Sequence, residues 1–104
     1  MDLGIKGKVA LVTAASTGIG KAVAEALAVE GCNVAICARS KETLIETSRD
    51  IKTKFNIEPF WGVCDLNHQK DIENFYDAVK NHFGKVDILV NLSLIHISEP
   101  TRPY

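Results

Sequence analysis

Apolar residues along this chain fall into two alternating patterns. Short unbroken runs are separated by longer stretches in which apolar positions recur every three or four residues. KVALVT, residues 8–13, is a continuous run of the kind a strand needs when both its faces are buried. In residues 20–31 (GKAVAEALAVEG), Val23, Leu27 and the alanines mark one helical face, and Gly31 supplies a stop. CNVAICA, residues 32–38, reads as a second buried strand. Ser40 is placed to cap a helix carrying Leu44, Ile45, Ile51 and Phe55, although Thr43 cannot complete a capping box. Residues 57–65 (IEPFWGVCD) form a third strand with Pro59 at its entry, where a lost N–H matters least. Asn67 is placed to cap a third helix with Ile72, Phe75, Tyr76, Val79 and Phe83 on one face; Gly84 ends it, and VDILVN, residues 86–91, is a fourth strand.

Strands alternating with helices, with the strands apolar throughout, define an α/β architecture built on a parallel sheet covered on both faces. The expected sequence is β-α-β-α-β-α-β with strand order 3-2-1-4. That is a partial doubly wound fold, slightly more than the first half of a dinucleotide-binding (Rossmann) domain.

Composition adds limits. The 104 residues suffice for one domain, and 46% hydrophobic with 24% charged residues is ordinary for a globular chain. A net charge of −1 gives no basis for binding nucleic acid or an anionic membrane surface. No secretory leader is visible, and no apolar run approaches the roughly 20 residues that span a bilayer. Cys32, Cys37 and Cys64 are odd in number and sit in or beside apolar runs, which fits reduced thiols in a cytoplasmic protein. With no CxxC, and with His68 and His82 lacking ligand partners at a recognisable spacing, no metal site is expected.

The chemistry is concentrated in TAASTGIG, residues 13–20, between the first strand and the first helix. Gly18 and Gly20 allow a sharp turn and a close approach of helix to sheet. The exposed N–H groups of the helix start then favour a pyrophosphate. A glycine-assisted turn that binds nothing is the competing reading. Placement after a buried strand within a roughly 30-residue βαβ unit favours the phosphate site.

Thr13, Gly18, Ile19 and Gly20 resemble the T-G-x-x-x-G-x-G signature of the short-chain dehydrogenase/reductase family. The resemblance covers residues 5–91 and includes an arginine after the second strand, the Asp of CDL, and DILVN. The family's first glycine is Ala14 here, which narrows the approach to the cofactor. The resemblance implies cofactor contacts from Thr13, Ala14, Ser16, Thr17, Gly18, Ile19 and Gly20. It also implies that Asp65 and Leu66 touch the adenine ring and that Asn91 opens the family's N-N-A-G motif. Asp65 serves equally well as a helix cap or Asx turn.

In that family an acidic residue at the end of strand two holds the ribose hydroxyls and selects NAD. This chain has Ala38 there, followed by Arg39 and Ser40. A guanidinium pairs instead with a 2′-phosphate, so NADP(H) is expected over NAD(H). Alternatively, Arg39 is a solvated charge opening a helix.

The family's Ser-Tyr-Lys chemistry, a hydride exchanged between nicotinamide and a small carbonyl/alcohol substrate, is not expected from this chain. Tyr76 and Lys80 have the spacing of the Tyr-Lys pair, but Tyr76 belongs to the apolar stripe of the third helix. It should lie about 12 Å along that helix from the strand ends where ligands bind in such sheets. The match is read as coincidental, and no catalytic residue is expected here. The alternative to an oxidoreductase is a non-catalytic NAD(P)-binding or sensing module.

Beyond Asn91 the family pattern stops. LSLIHISEPTR, residues 92–102, is similar to one translated frame of a transposase-based sequencing adapter. Two other readings are a divergent extension of strand four, with Leu92, Leu94, Ile95 and Ile97 in partial alternation, and a natural truncated module. The adapter resemblance is the most specific of these. It implies that residues 1–91 are the truncated N-terminal part of the cofactor-binding domain and that 92–104 are a non-native tail. On that reading the fourth strand is an exposed edge, and the full-length parent is a homo-oligomer whose contact surfaces lie downstream.

Overall fold

The computed structural model describes residues 4–13, 18–91 and 96–98. Its elements are β1 (Val9–Thr13), α1 (Gly18–Val29), β2 (Asn33–Ala38), α2 (Lys41–Phe55), β3 (Phe60–Val63), α3 (Gln69–Phe83), β4 (Ile88–Asn91) and β5 (His96–Ser98). One sheet has the order β3-β2-β1-β4-β5, and β1 to β4 are parallel, matching the order read from the sequence. β5 runs antiparallel along β4, with Val90 opposite Ile97. The bare β4 edge expected from the sequence is therefore not present. The three residues of β5 take up the ladder hydrogen bonds that a parallel neighbour would otherwise use.

Alternation within each strand explains why whole strands read as apolar. Ala10, Val12, Val34, Ile36 and Ala38 face α1 and α2, where they meet Ala24, Ala28, Leu44 and Ile51. Val9, Leu11, Ala35, Cys37 and Leu89 face the other way, onto Phe75 and Val79 of α3. With helices on both faces there is no wet side to select polar residues. Leu11 and Ile36 lie at 1% and 0% exposure, and burying each such side chain contributes roughly 1.5–3 kcal/mol.

The helix ends follow from local chemistry. Ser40 caps α2, its Oγ accepting from the Thr43 N–H at 3.4 Å, while Thr43 Oγ1 donates to the Ser40 carbonyl at 3.1 Å. α1 ends at Gly31 and α3 at Gly84, both at φ +86°, a conformation that a side chain opposes. At α3 the sequence expectation is corrected. Its N-cap is His68 rather than Asn67; Asn67 falls one residue before the cap, inside an Asx turn in which its N–H donates to Asp65 Oδ1 at 3.0 Å. β3 also spans only four residues, since it is the outermost strand and has a partner on one side alone.

Asp87 ties the opposite end of the sheet together. Its carboxylate accepts from the Val9 N–H at 2.8 Å, and its own N–H donates to the Val9 carbonyl at 2.8 Å. The Val9 N–H, helped by Lys85, holds the Asp87 carboxyl below the usual carboxylate range. A depressed folded pKa gives stability that is present above the unfolded value of about 3.9 and lost as pH falls through the folded value. Asp87→Asn is therefore expected to lower stability to urea at pH 7, and the gap to wild type should narrow at pH 3. A gap of equal size at both pH values contradicts a charge-based role.

Candidate cofactor-binding site

The parallel register brings four strand ends to one edge. Thr13 lies opposite Cys37, Ala38 opposite Val63, and Val12 opposite Val90. At about 4.8 Å between neighbours, the row from β3 to β4 is roughly 14 Å wide. Every candidate contact among the described residues lies at or just beyond this row, in the place where open α/β sheets take their ligands.

β1 delivers Thr13, which is fully buried. Its hydroxyl lies 3.3 Å from the Val90 carbonyl and 3.2 Å from Asn91 Oδ1, so the end of β1 is fastened to the end of β4. That contact fixes the Asn91 amide at the rim. Ala14, Ser16 and Thr17, named above as cofactor contacts, lie outside the described residues. α1 begins directly at Gly18. The N–H groups of Gly18 and Ile19 belong to the first turn of α1, ahead of which a helix offers no carbonyl of its own to accept them.

Two features at this turn fit a phosphate-bearing ligand. A Cβ built on Gly18 would meet nothing within 4 Å, and its φ is not positive. Among the described residues neither packing nor strain therefore demands glycine at that position, whereas a ligand pressed against the backbone would. Ile19 is 71% exposed, a large apolar side chain at the mouth of the site.

β2 delivers the specificity residues. Ala38 is buried, Arg39 is exposed immediately after it, and Ser40 opens α2. The Ser40 hydroxyl also donates to Glu42 Oε2 at 3.3 Å, which puts one acidic group beside the basic one. Beyond β3, Asp65 is held by a partner that sequence reasoning did not find. Its N–H donates to Asp71 Oδ2 at 3.0 Å. Asp71 stands six residues on, in the first turn of α3, and that spacing was the available signal. Asp65 Oδ2 lies 3.7 Å from His68 Nδ1, and Leu66 packs partly buried against the second core cluster.

Tyr76 and Lys80 stand elsewhere. Tyr76 is packed against the α3-side core, and burial raises its phenol above the ordinary value. Lys80 is exposed, and its carbonyl accepts the capping N–H of Gly84 at 2.7 Å. A pocket of about 300 Å³ is lined by Val63, Cys64, Asp71, Asn74 and Phe75, beside the outer strand rather than over β1. Among the described residues no cluster of three or more His, Cys, Asp or Glu could hold a metal ion, and no helix is long and apolar enough to cross a membrane.

The chain belongs to the short chain dehydrogenase family, whose sequence profile matches residues 8–102. It is similar to the rat (Rattus norvegicus) protein "15-hydroxyprostaglandin dehydrogenase [NAD(+)]", 40% identical over 88 residues, which cover 84% of this chain and 33% of the relative. The L-sorbose reductase of Gluconobacter frateurii, solved in complex with NADPH and L-sorbose, superposes with a TM-score of 0.81 at 38% identity, covering 86% of this chain and 34% of that one. An alcohol dehydrogenase from the archaeon Thermococcus sibiricus, complexed with 5-hydroxy-NADP, gives 0.76 at 36% identity, covering 81% and 36%. The chain spans about a third of the length of the curated relatives it matches.

Proposed function

We propose that this chain is the cofactor-binding part of an NADP(H)-dependent oxidoreductase acting on a carbonyl/alcohol pair. The first-turn N–H groups of α1 hold the pyrophosphate, with the surrounding contacts from Thr13, Ala14, Ser16 and Thr17. Arg39 and Ser40 hold the 2′-phosphate, Asp65 and Leu66 the adenine, and Asn91, oriented by Thr13, closes the rim. The bound nicotinamide supplies or takes the hydride, and the residues of this chain bind and orient the cofactor. Proton transfer falls to a Ser, Tyr and Lys in the longer parent protein, so residues 1–104 alone turn nothing over. The parent works in the cytoplasm as a homo-oligomer.

The observation that carries the preference for NADP(H) is the pairing of a neutral Ala38 with an exposed Arg39 at the end of β2. A phosphate dianion gains charge-assisted, bidentate hydrogen bonds from a guanidinium, whereas ribose hydroxyls need the carboxylate that Ala38 lacks. NAD(H) is the second reading, favoured by Glu42 on the Ser40 hydroxyl and by the NAD(+) in the rat relative's name. Fluorescence titration of the chain with NADPH and NADH separates them. NADPH is expected to bind at least about tenfold more tightly, about 1.4 kcal/mol. Equal affinities, or tighter NADH, overturn the assignment of Arg39.

The same proposal treats residues 92–104 as a tail of non-native origin. The family profile runs through residue 102, across most of that tail, so the coding DNA after the Asn91 codon is the discriminating observation. A continuation into N-A-G and a later Tyr-x-x-x-Lys supports the oxidoreductase. An uninterrupted natural frame ending at Tyr104 supports a non-catalytic binding module.

A further inference from the structure

Two buried thiols face each other just beneath the adenosine end of the site. Cys37 is the penultimate residue of β2 and lies opposite Gly62. Cys64 follows two residues after Gly62, on the same face, and its N–H still donates to the Ala38 carbonyl at 2.8 Å, so the ladder runs on to this residue. Gly62 places no side chain between them. Both belong to the core cluster that contains Phe75, at 0% and 2% exposure. A hydrogen bond from the Cys37 thiol brings the Cys64 pKa below the usual thiol value, although burial and the Asp71 charge oppose this, and the Cys64 Sγ lies 3.7 Å from the Asp71 carbonyl. Cys64 also lines the pocket beside the outer strand, with Val63, Asp71, Asn74 and Phe75. Cys32 is the internal contrast. It sits at the other end of the sheet with its Sγ 3.5 Å from the Ile5 carbonyl, and burial, then Glu30, pushes its thiol up.

We propose that Cys64 and Cys37 are a peroxide-sensitive pair, Cys64 the reacting thiol and Cys37 the resolving one, whose oxidation shifts the strand ends that carry the adenosine contacts. The Cys64 thiolate attacks one oxygen of hydrogen peroxide; an S–O bond forms, the O–O bond breaks and hydroxide leaves. The Cys37 sulfur then attacks the Cys64 sulfenic sulfur, forming the S–S bond and releasing water. Two thiols are oxidised by two electrons and one peroxide is reduced to two waters. Diagonal same-face neighbours on paired strands sit roughly 7–8 Å apart at Cα, whereas a disulfide holds Cα atoms about 4.4–6.8 Å apart. Closing the bond therefore draws the end of β3 toward β2 by on the order of 1 Å. Asp65 follows Cys64 directly, and Arg39 stands two residues after Cys37, so both move relative to one another. The covalent step stands on its own, while its effect on NADP(H) rests on the function proposed above.

The test treats the purified 104-residue chain with hydrogen peroxide, alkylates remaining thiols and maps peptides by mass. Before alkylation the oxidised chain is expected to be about 2 Da lighter; afterwards Cys37 and Cys64 should appear in one crosslinked peptide pair, with Cys32 alkylated. In Cys37→Ser, shown to be folded by circular dichroism, Cys64 is expected to be trapped by dimedone as the sulfenic acid. Oxidised wild type should bind NADPH several-fold more weakly, with recovery on adding dithiothreitol. Oxidation of Cys32 ahead of Cys64, a crosslink only between molecules, or survival of both thiols overturns the pair. A crosslink with NADPH affinity unchanged overturns its coupling to the site. If the untreated chain binds no NADPH, the proposed function fails, and the crosslink is judged on the mass map alone.

Discussion

Gly62→Ala is expected to destabilise this chain by about 2 kcal/mol or more, a large effect for one added methyl group. A Cβ at this position would stand 2.7 Å from Phe75 Cε1 and 2.8 Å from Cδ1, inside any tolerable contact. The ring cannot step aside easily. Phe75 is 7% exposed, and its ring also stacks on Phe60 with centroids 5.9 Å apart. Gly62 is thus a glycine because α3 presses an aromatic ring directly onto the backbone of β3. The check is a double-mutant cycle by urea unfolding with Phe75→Leu. Removing the ring should relieve the clash, so the double variant should be more stable than the sum of the singles by about 1 kcal/mol. Simple additivity would show that the methyl group does not meet the ring.

The second large effect concerns selectivity. Arg39→Glu is expected to weaken NADPH binding roughly 30- to 100-fold while changing NADH affinity by only a few-fold, since it exchanges a charge-assisted pair for repulsion of the 2′-phosphate. Arg39 is exposed at the end of β2, so the substitution should leave the urea midpoint nearly unchanged. An equal loss for both cofactors would place the guanidinium on a part of the molecule common to the two. Unchanged NADPH binding would make Arg39 a solvated surface charge.

The parts of this fold that could be read in the sequence are those where one physical demand dominates. β1 and β2 are buried on both faces and read as unbroken apolar runs, while the register of Thr13 with Cys37 comes from the structure. Ser40 and Gly84 were equally plain, because a cap and a left-handed stop each leave a specific residue type. Where two polar residues stand side by side before a helix, the sequence does not say which one takes the cap. Asn67 lies in the Asx turn made by Asp65, and His68 occupies the N-cap position without a side-chain hydrogen bond. β5 was not expected as a strand, since three residues carry too little pattern to set against any other reading.

The candidate site was legible for a related reason. Gly18, Arg39 and Asp65 each follow a strand end, and a parallel sheet delivers all such ends to one edge. The contacts that hold the site together were not, because they join positions far apart in sequence. Thr13 reaches Asn91 across 78 residues, and Cys37 meets Cys64 on a neighbouring strand. Only the three-dimensional pairing of strands makes those neighbours visible.

The central claim is that this chain binds an NADP(H)-type cofactor across the C-terminal ends of β1 to β4 and nowhere along α3. The most direct measurement is a titration of the isotopically labelled chain with NADPH, followed by amide chemical shifts residue by residue. The account predicts shifts grouped at Thr13, Gly18–Gly20, Ala38–Ser40, Cys64–Leu66 and Asn91, with Tyr76, Lys80 and their neighbours unmoved. Shifts centred on Tyr76 and Lys80, or none at the glycine-rich turn at saturating NADPH, would contradict it.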